Sequence, residues 1–468
     1  MLFNSVQFGF FFIAVWVAVF LTPMRWRWTV LLLASCAFYA AWDYRYLALV
    51  GVLAGLAFVY GRFHKAVPPF GVAALLALLL VPLAVIKYGA FLGGMFARWT
   101  DTATPSLLSG WELPLGISFY TFQLLAYCVD VRANRCEPVR NPFKLLLYPL
   151  YFPHQIAGPI VRPRLLLPQF DKIATAGGAR MVSGLQILLW GLVKKVFVAD
   201  RLAVLVDAVY ADPQTYSGAG AWLAVYFFAI QIYCDFSGYS DMAIGLSRIL
   251  GIELCENFRR PYFSASLKEF WGRWHISLST WFRDYVYVPL GGNQRGLGRW
   301  AIAVVVVFGL SGLWHGAAVN FLLWGFYHGL LFLGERGLRA AVPPSLRSWA
   351  SSTPGAIVRV LLVFHLVALG WILFRAPSWE SAVQVFQCLG VGGGWGNVLQ
   401  VFSSVQLALA AAGIVLVLLG DLALENRWVC MFPRLWLPLR WSLYYAAIFL
   451  VGLFPGSTEI KQFIYFQF

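Results

Sequence analysis

The stretch that decides the fold is AIAVVVVFGLSGLWHGAAVNFLLWGFYHGLLFL, residues 301–333, which contains no Asp, Glu, Lys or Arg. A helix of about 20 apolar residues is long enough to cross the hydrocarbon core of a bilayer. This run is longer than one crossing needs, and small and polar residues interrupt it near its middle. We therefore predict a membrane hairpin over 300–335.

Similar apolar runs recur along the whole chain of 468 residues, which is 60% hydrophobic and 12% charged. Its mean hydropathy is +0.73, whereas a soluble domain is about half apolar and about a quarter charged. We predict an all-α polytopic membrane protein with about eleven transmembrane helices, plus re-entrant or interfacial helices. Because no long linker or repeat is evident, the prediction is one domain over 1–468.

The formal net charge is +15, but the basic residues are scattered through short loops between the apolar runs. This distribution is typical of the positive-inside rule and of contact with anionic lipid headgroups, so we expect membrane lipid as a partner and no nucleic acid. The seven cysteines are dispersed without a C-x-x-C pair, which argues against a disulfide framework or a zinc ribbon. No metal site is predicted.

Two histidines lie in segments that a bilayer should penalise. His315 follows a tryptophan in LSGLWHGAAVNFLLWGFYHG (310–329), and His275 does the same in KEFWGRWHISLSTWFRDYVYVPLGG (268–292). An ionisable side chain at membrane depth is costly and marks a functional site by default. A single histidine on an apolar face is more often a hydrogen-bonded core residue, but two in separate polar breaks favour catalysis. Small residues beside His315 leave room for a substrate or for a close helix crossing.

Two carboxylates, Asp235 and Asp241, interrupt the apolar stretch IQIYCDFSGYSDM (230–242). Gly238 between them suggests a broken helix or a turn that faces the interior. We favour pairing of these carboxylates with basic residues over direct chemistry, because a charge at bilayer depth costs about 2.5–3.5 kcal/mol when it stands alone.

The spacing of the aromatic residues in 268–292 predicts a helix with one aromatic face, which would lie in the interface or line a cavity. Together with the residues around the two histidines, the segment supplies the candidates for lining a substrate cavity: Trp314, Asn320, Trp274, Arg273, Asp241 and Asp235.

Six strings of the sequence are similar to the membrane-bound O-acyltransferase family, specifically to its alginate O-acetyltransferase branch, which includes related cellulose-acetylation proteins. They are PLGISFYTFQLLAYCVDV (114–131), FPHQIAGPIVRP (152–163), YCDFSGYSDMAIGLSRILGI (233–252), NFRRPYFSASLKEFWGRWHISLSTWFRDYVYVPLGGN (257–293), SGLWHGAAVNFLLWGFYHG (311–329) and FIYFQF (463–468). They follow the order of the family, and the match at both histidine motifs is complete.

The resemblance implies a membrane O-acetyltransferase of the bacterial inner membrane, with an intramembrane catalytic cavity and a catalytic core at about 114–335. It identifies His315 with the central catalytic histidine and His275 with its partner. It implies acetyl-CoA on the cytoplasmic side as the acetyl donor, no bound cofactor, a polysaccharide acceptor such as alginate or cellulose, and a periplasmic acetyltransferase or polysaccharide-biosynthesis proteins as partners.

Histidine, with a reference pKa of about 6.5, can take a proton from a sugar hydroxyl and return it to a leaving thiolate. We expect His315 to act as the base and His275 to orient it or to stabilise the oxyanion, although the sequence allows the reverse or an acyl-enzyme relay. Three alternatives stay open: transfer of D-alanyl or another acyl group, a proton-coupled or acyl-group transporter that uses these residues as a relay, and a purely structural membrane protein. A metalloenzyme is disfavoured because no H-x-x-x-H spacing is present.

Overall fold

The structure is a computed structural model that describes residues 1–100, 112–156, 158–174, 177–341, 343–393, 395–425, 436–456 and 463–464. These residues form helices joined by loops, and none of them forms a β-strand. The predicted all-α class is therefore confirmed.

The first ten helices of the described chain are α1 (Val6–Leu21), α2 (Arg27–Asp43), α3 (Arg45–Phe63), α4 (Pro69–Thr100), α5 (Ile117–Arg132), α6 (Pro142–Leu150), α7 (Phe152–Gln155), α8 (Pro163–Leu166), α9 (Gly178–Leu192) and α10 (Asp200–Ala211). The others are α11 (Ala219–Ile249), α12 (Leu267–Arg273), α13 (Ile276–Phe282), α14 (Leu297–His315), α15 (Val319–Ala341), α16 (Pro344–Ser351), α17 (Thr353–Arg375), α18 (Trp379–Leu389), α19 (Trp395–Val401), α20 (Ser404–Glu425) and α21 (Leu437–Leu453). Two π-helical turns, Val193–Ala199 and Arg283–Tyr287, continue α9 and α13.

Seven helical segments within the described residues are long and apolar enough to cross a membrane. They are Arg45–Phe63, Pro69–Ala97, Gly178–Ala211, Ala219–Ile249, Leu297–His315, Thr353–Arg375 and Ser404–Ala423. Two apolar helices, α1 and α21, are shorter. The protein is thus a multi-pass membrane protein, but the predicted number of about eleven spans is not confirmed.

The chain divides into two compact units, of which the first comprises Met1–Leu188 and Ser240–Cys255. In this unit α6 packs against α2, α3 and α5, and the rings of Phe8, Phe38 and Phe152 pack together within 5.8–6.3 Å of one another. A cleft of about 740 Å³ lies between α3 and α4, with Arg45 and Glu112 in its lining. It contains none of the predicted site residues.

The second unit comprises Leu189–Tyr239 and Glu256–Phe468. Here α14 and α15 form a tightly packed helical hairpin over the predicted 300–335, and α17 packs on α15. Of the two arms, α14 is among the seven candidate spans and α15 is not. Three large aromatic side chains, Trp274, Trp324 and Trp371, are fully buried in its interior. Both histidine motifs lie in this unit. The prediction of one domain over 1–468 stays a prediction.

The sequence suggested a break in the helix at Gly238, and that interpretation is wrong. Helix α11 runs unbroken through 230–242. A Cβ at Gly238 would lie 2.8 Å from the carbonyl oxygen of Gly191 and 3.2 Å from the amide nitrogen of Lys195. The glycine therefore allows a second helix to approach the backbone closely.

Gly325 has the same function in the hairpin, because a Cβ there would lie 2.3 Å from the carbonyl oxygen of Phe308. We expect Gly325→Ala to lower the free energy of unfolding by about 1–3 kcal/mol, the usual cost of overpacking. Gly334, on the same helix, has open space around it, so Gly334→Ala is the matched control. Thermal unfolding in detergent measures both, and equal midpoints for the two variants would contradict the close crossing.

Candidate active site

The hairpin places His315 at the last position of α14, directly before Gly316. The small residues around it allow a close helix crossing: a Cβ at Gly312 would lie 2.2 Å from the carbonyl oxygen of Phe321, and a Cβ at Gly316 would lie 2.1 Å from the Phe321 ring. The sequence left open whether these small residues make room for a substrate or for a close helix crossing. The structure shows the close crossing. Neither glycine has room for a side chain.

His315 is 5% exposed and is surrounded by aromatic rings. The centroid of its ring lies 4.9 Å from that of Trp314, 5.1 Å from that of Trp324 and 5.2 Å from that of Phe374, in edge-to-face arrangements. Such packing holds the imidazole in one orientation and keeps bulk water away from it.

His275 lies at a break between two short helices, so the single amphipathic helix predicted over 268–292 is wrong. Helix α12 ends at Arg273, and α13 begins at Ile276. His275 adopts a left-handed conformation with φ 43° and ψ 54°. This conformation is costly for a residue other than glycine, and such strain concentrates at functional sites.

The segment around Asn257 holds this break in place. The carbonyl oxygen of Asn257 accepts the Ile276 N–H at 2.9 Å, and the Arg259 N–H donates to the carbonyl oxygen of Arg273, also at 2.9 Å. The backbone on both sides of His275 is therefore tied to a loop that precedes α12 in the chain. These bonds compensate for the helical hydrogen bonds lost at the break.

The side chain of Asn257 fixes the tautomer of His275. Its Oδ1 accepts the backbone N–H of Ser277 at 3.2 Å and the Ser277 hydroxyl at 2.9 Å, and it lies 3.1 Å from Nδ1 of His275. Because a backbone N–H can only donate, the Asn257 atom at this position is its oxygen, and the Nδ1 that faces it carries the proton. In the neutral ring, Nε2 is then the hydrogen-bond acceptor. Nε2 is buried, and no partner for it exists within the described residues.

Trp314 brings the two histidines into one cluster. The centroid of its ring is 5.9 Å from that of His275 and 4.9 Å from that of His315. The two motifs, which are well separated in the sequence, therefore meet at one indole. A buried base with an available lone pair beside a second buried histidine is suited to proton transfer.

Three other candidates make contacts of their own in the second unit. Trp274 packs against Trp371 with 4.9 Å between centroids, and the amide nitrogen of Asn320 donates to the carbonyl oxygens of Leu373 and Ala376. Arg273 forms an ion pair of 2.6 Å with Glu269, one helical turn earlier.

The two carboxylates belong to different units. Asp235, in the second unit, is 3% exposed and pairs with Lys195 at 2.6 Å, so the expected pairing with a basic residue is confirmed for it. Asp241 lies in the first unit and is half-buried.

Sequence reasoning missed three residues around His275: Asn257, Ser277 and Phe236. The ring of Phe236 stands edge-to-face on that of His275 at 4.6 Å. All three were inside the quoted family strings, and the small polar side chains of Asn257 and Ser277 beside aromatic runs were a usable signal. Nothing in the sequence indicated that they act on His275.

Comparison with known proteins identifies the family. Residues 123–369, which include both histidine motifs, match the family described as MBOAT, membrane-bound O-acyltransferase family. A probable alginate O-acetylase AlgI from Azotobacter vinelandii is 37% identical over 411 residues, which cover 84% of this chain and 79% of that protein. The chain belongs to the membrane-bound O-acyltransferase family. It is accordingly an O-acyltransferase.

Two further relatives differ in what their names say they acylate. A peptidoglycan O-acetyltransferase from Helicobacter pylori is 34% identical over 81% of this chain and 76% of its own length. A teichoic acid D-alanyltransferase from Bacillus subtilis is 29% identical over 57% of this chain and 69% of its own length. Of these relatives, those named for acetyl transfer are more similar to this chain and cover more of it.

Within this O-acyltransferase, we expect Asn257→Ala to reduce the turnover number about tenfold to a hundredfold. The variant leaves the Nδ1–H of His275 and the N–H of Ser277 without their buried acceptor, which costs about 1–3 kcal/mol, and each 1.4 kcal/mol corresponds to a factor of about ten. The control is Ser277→Ala, which removes one donor but keeps the bond between Asn257 and His275; its turnover should stay within about threefold. Similar losses in both variants would show that the Asn257–His275 bond has no special role.

Proposed function

We propose that this O-acyltransferase passes acetyl groups from a cytoplasmic donor, acetyl-CoA, across the inner membrane for O-acetylation of an exopolysaccharide such as alginate or cellulose. The observation that supports the proposal most directly is the contact of both buried histidines with Trp314. The names and the extent of similarity of the acetyl-transferring relatives favour acetyl as the transferred group. D-alanyl transfer is the second candidate, because the chain is also similar to the teichoic acid D-alanyltransferase. It ranks second because that similarity covers less of the chain at a lower identity.

In the proposed reaction, a hydroxyl oxygen attacks the thioester carbonyl, a C–O bond forms, and the C–S bond breaks. His315 takes the hydroxyl proton and delivers it to the departing thiolate, so the products are an acetyl ester and a free thiol. A general base in this role contributes about 10²–10⁴ to the rate. The aromatic rings around His315 exclude water, which favours transfer over hydrolysis.

The tautomer of His275 supports an orienting role more than an oxyanion-stabilising one. Its Nδ1–H is engaged by Asn257, so the neutral ring has only the lone pair of Nε2 to offer. That lone pair can accept a hydrogen bond from the attacking hydroxyl or from a protonated partner ring. It cannot donate to an oxyanion unless the ring is first protonated.

Delivery to the polymer is proposed to involve a partner, a periplasmic acetyltransferase or another protein of polysaccharide synthesis. The chain itself would then carry out the step that brings the acetyl group through the membrane. The intramembrane cavity predicted around the histidines is part of this proposal.

The test is turnover by the purified protein in liposomes that are supplied with radiolabelled acetyl-CoA on one side and with alginate or cellulose oligosaccharides and the periplasmic partner on the other. We expect thiol release that depends on acceptor, with label recovered as an alkali-labile ester, and no ester formation by His315→Ala. D-alanyl thioester donors run in parallel decide between the two acyl groups. Label that crosses the membrane as intact donor, without thiol release, would instead establish a transporter.

A further inference from the structure

A cluster of three charges is buried in the second unit, which also contains the histidine cluster. Nζ of Lys195 lies 2.6 Å from Oδ1 of Asp235 and 2.9 Å from Oδ1 of Asp200, and all three side chains are at most 8% exposed. The cluster therefore joins two carboxyl groups to one amino group. Buried charges persist only where further hydrogen bonds satisfy them.

The second oxygen of Asp235 provides such a bond to a distant part of the chain. Its Oδ2 accepts the backbone N–H of Ile464 at 2.7 Å. Phe463 and Ile464 are 0% and 2% exposed, so without the carboxylate this N–H would lack an acceptor among the described residues. The hydrogen bond between Ile464 and Asp235 fixes the position of residues 463–464 along α11. Apolar packing alone does not fix that position.

Further contacts bind the preceding stretch to the same region. The N–H of Gly456 donates to the carbonyl oxygen of Val196 at 2.9 Å, and the guanidinium of Arg201 donates to the carbonyl oxygen of Phe454 at 2.9 Å. The π-helical turn that carries Lys195, together with the start of α10, is thus a docking site for residues 454–456.

The docked segment reaches the active site through one ring. The centroid of Phe463 lies 5.4 Å from that of Phe236 and 4.8 Å from that of Tyr239. Phe236 directly follows Asp235 in α11, and its ring stands edge-to-face on His275 at 4.6 Å. A displacement of Phe463 would open space behind Phe236. The Phe236 ring could then move away from the His275 ring, which would lose its support on that side.

We propose that Asp235, held by Lys195, is a positioning residue of the acyl-transfer site, which fastens the segment 463–464 behind Phe236 and so fixes the ring of His275. The inference rests on the proposed function for its catalytic consequence. Its structural part concerns only the packing of His275 and can be tested without turnover.

Two triple variants isolate the bond to Ile464. Lys195→Met, Asp200→Asn and Asp235→Asn together remove every charge of the cluster but keep an amide oxygen that can accept the N–H. Lys195→Met, Asp200→Asn and Asp235→Leu remove the same charges and also the acceptor. Any difference between the two therefore reports the acceptor and not the buried charge.

We expect the triple variant that contains Asp235→Asn to keep a turnover number within about threefold of the parent, because the amide oxygen replaces the carboxylate as acceptor. The triple variant that contains Asp235→Leu should lose at least about tenfold, with an unchanged KM for acetyl-CoA, because the Ile464 N–H then lacks its acceptor. In the latter, modification of His275 by diethyl pyrocarbonate, followed by mass spectrometry, should be at least about tenfold faster. Equal turnover numbers and equal reactivity of His275 in the two variants would overturn the proposal.

A second pair of variants covers the case in which neither triple variant folds. Phe463→Ala removes the ring behind Phe236 with all charges intact, and Phe402→Ala removes an equally buried ring that packs on Phe227 instead. Phe463→Ala alone should raise the reactivity of His275 and lower turnover. Unchanged His275 reactivity in Phe463→Ala contradicts the positioning role, whereas a parent protein that transfers no acetyl group contradicts the proposed function instead.

Discussion

His315→Ala is expected to lower acetyl transfer by about 10²–10⁴ while the protein stays folded in the membrane. His315 is the base in the proposed reaction, and its ring packs on the same indole, that of Trp314, which contacts His275. The substitution removes an imidazole that packs among three aromatic rings, and we expect it to affect turnover far more than assembly.

The measurement is the acetyl-transfer rate of the purified variant at matched concentration, together with its thermal midpoint. His365→Ala is the matched control, because His365 lies on α17 in the same unit and is exposed; this variant should transfer at the parental rate. If His315→Ala keeps more than about a tenth of the parental rate, His315 is not the base.

Replacement of His275 should have an effect nearly as large, about 10²-fold on the turnover number. The informative variant is His275→Asn, because asparagine tolerates the left-handed backbone conformation at this position but cannot take a proton. His275→Gln tests whether a longer amide side chain can replace the imidazole, and we expect this variant to lose turnover as well. Phe would fill the space but would carry the full backbone strain.

The turnover number and the thermal midpoint are measured for both amide variants. A normal midpoint with a large loss of turnover shows that the imidazole itself is needed. If His275→Asn works within about threefold of the parent, the residue merely terminates a helix, and its lone pair at Nε2 has no function.

The sequence was sufficient for features that depend on local composition. The length of the apolar run 301–333 predicted the α14–α15 hairpin, and the cost of an ionisable group in such a run pointed to His315. The same reasoning selected His275, and both histidines do contact one indole. The pairing of Asp235 with a base followed from the cost of an isolated buried charge.

Features that depend on distant parts of the chain were not accessible. The aromatic spacing in 268–292 favoured one helix, but Asn257 pairs with the backbone there and stabilises a break at His275. The sequence suggested that Gly238 breaks the helix. Its role in the structure is to allow the backbone at Gly191 to approach closely, and neither segment alone reveals that contact. The bond from Ile464 to Asp235 connects residues that are far apart in the sequence, and no local pattern encodes it.

The prediction of about eleven membrane crossings included some apolar runs that do not form long helices in the described structure. One of the apolar runs counted as a crossing lies near 143–160. It contains Pro149 and Pro153, and its described part includes the short helices α6 and α7. Neither helix is long enough to cross a bilayer. Hydrophobicity alone does not distinguish such buried short helices from spans.

The central claim is that His275 and His315 act as one catalytic unit, and a double-mutant cycle tests it most directly. Acetyl transfer is measured for His275→Ala, His315→Ala and the double variant in liposomes, at matched amounts of folded protein. Residues that act together are strongly non-additive, so the account predicts that the double variant is at most about threefold slower than the slower single variant. Losses that multiply in the double variant would contradict a shared site.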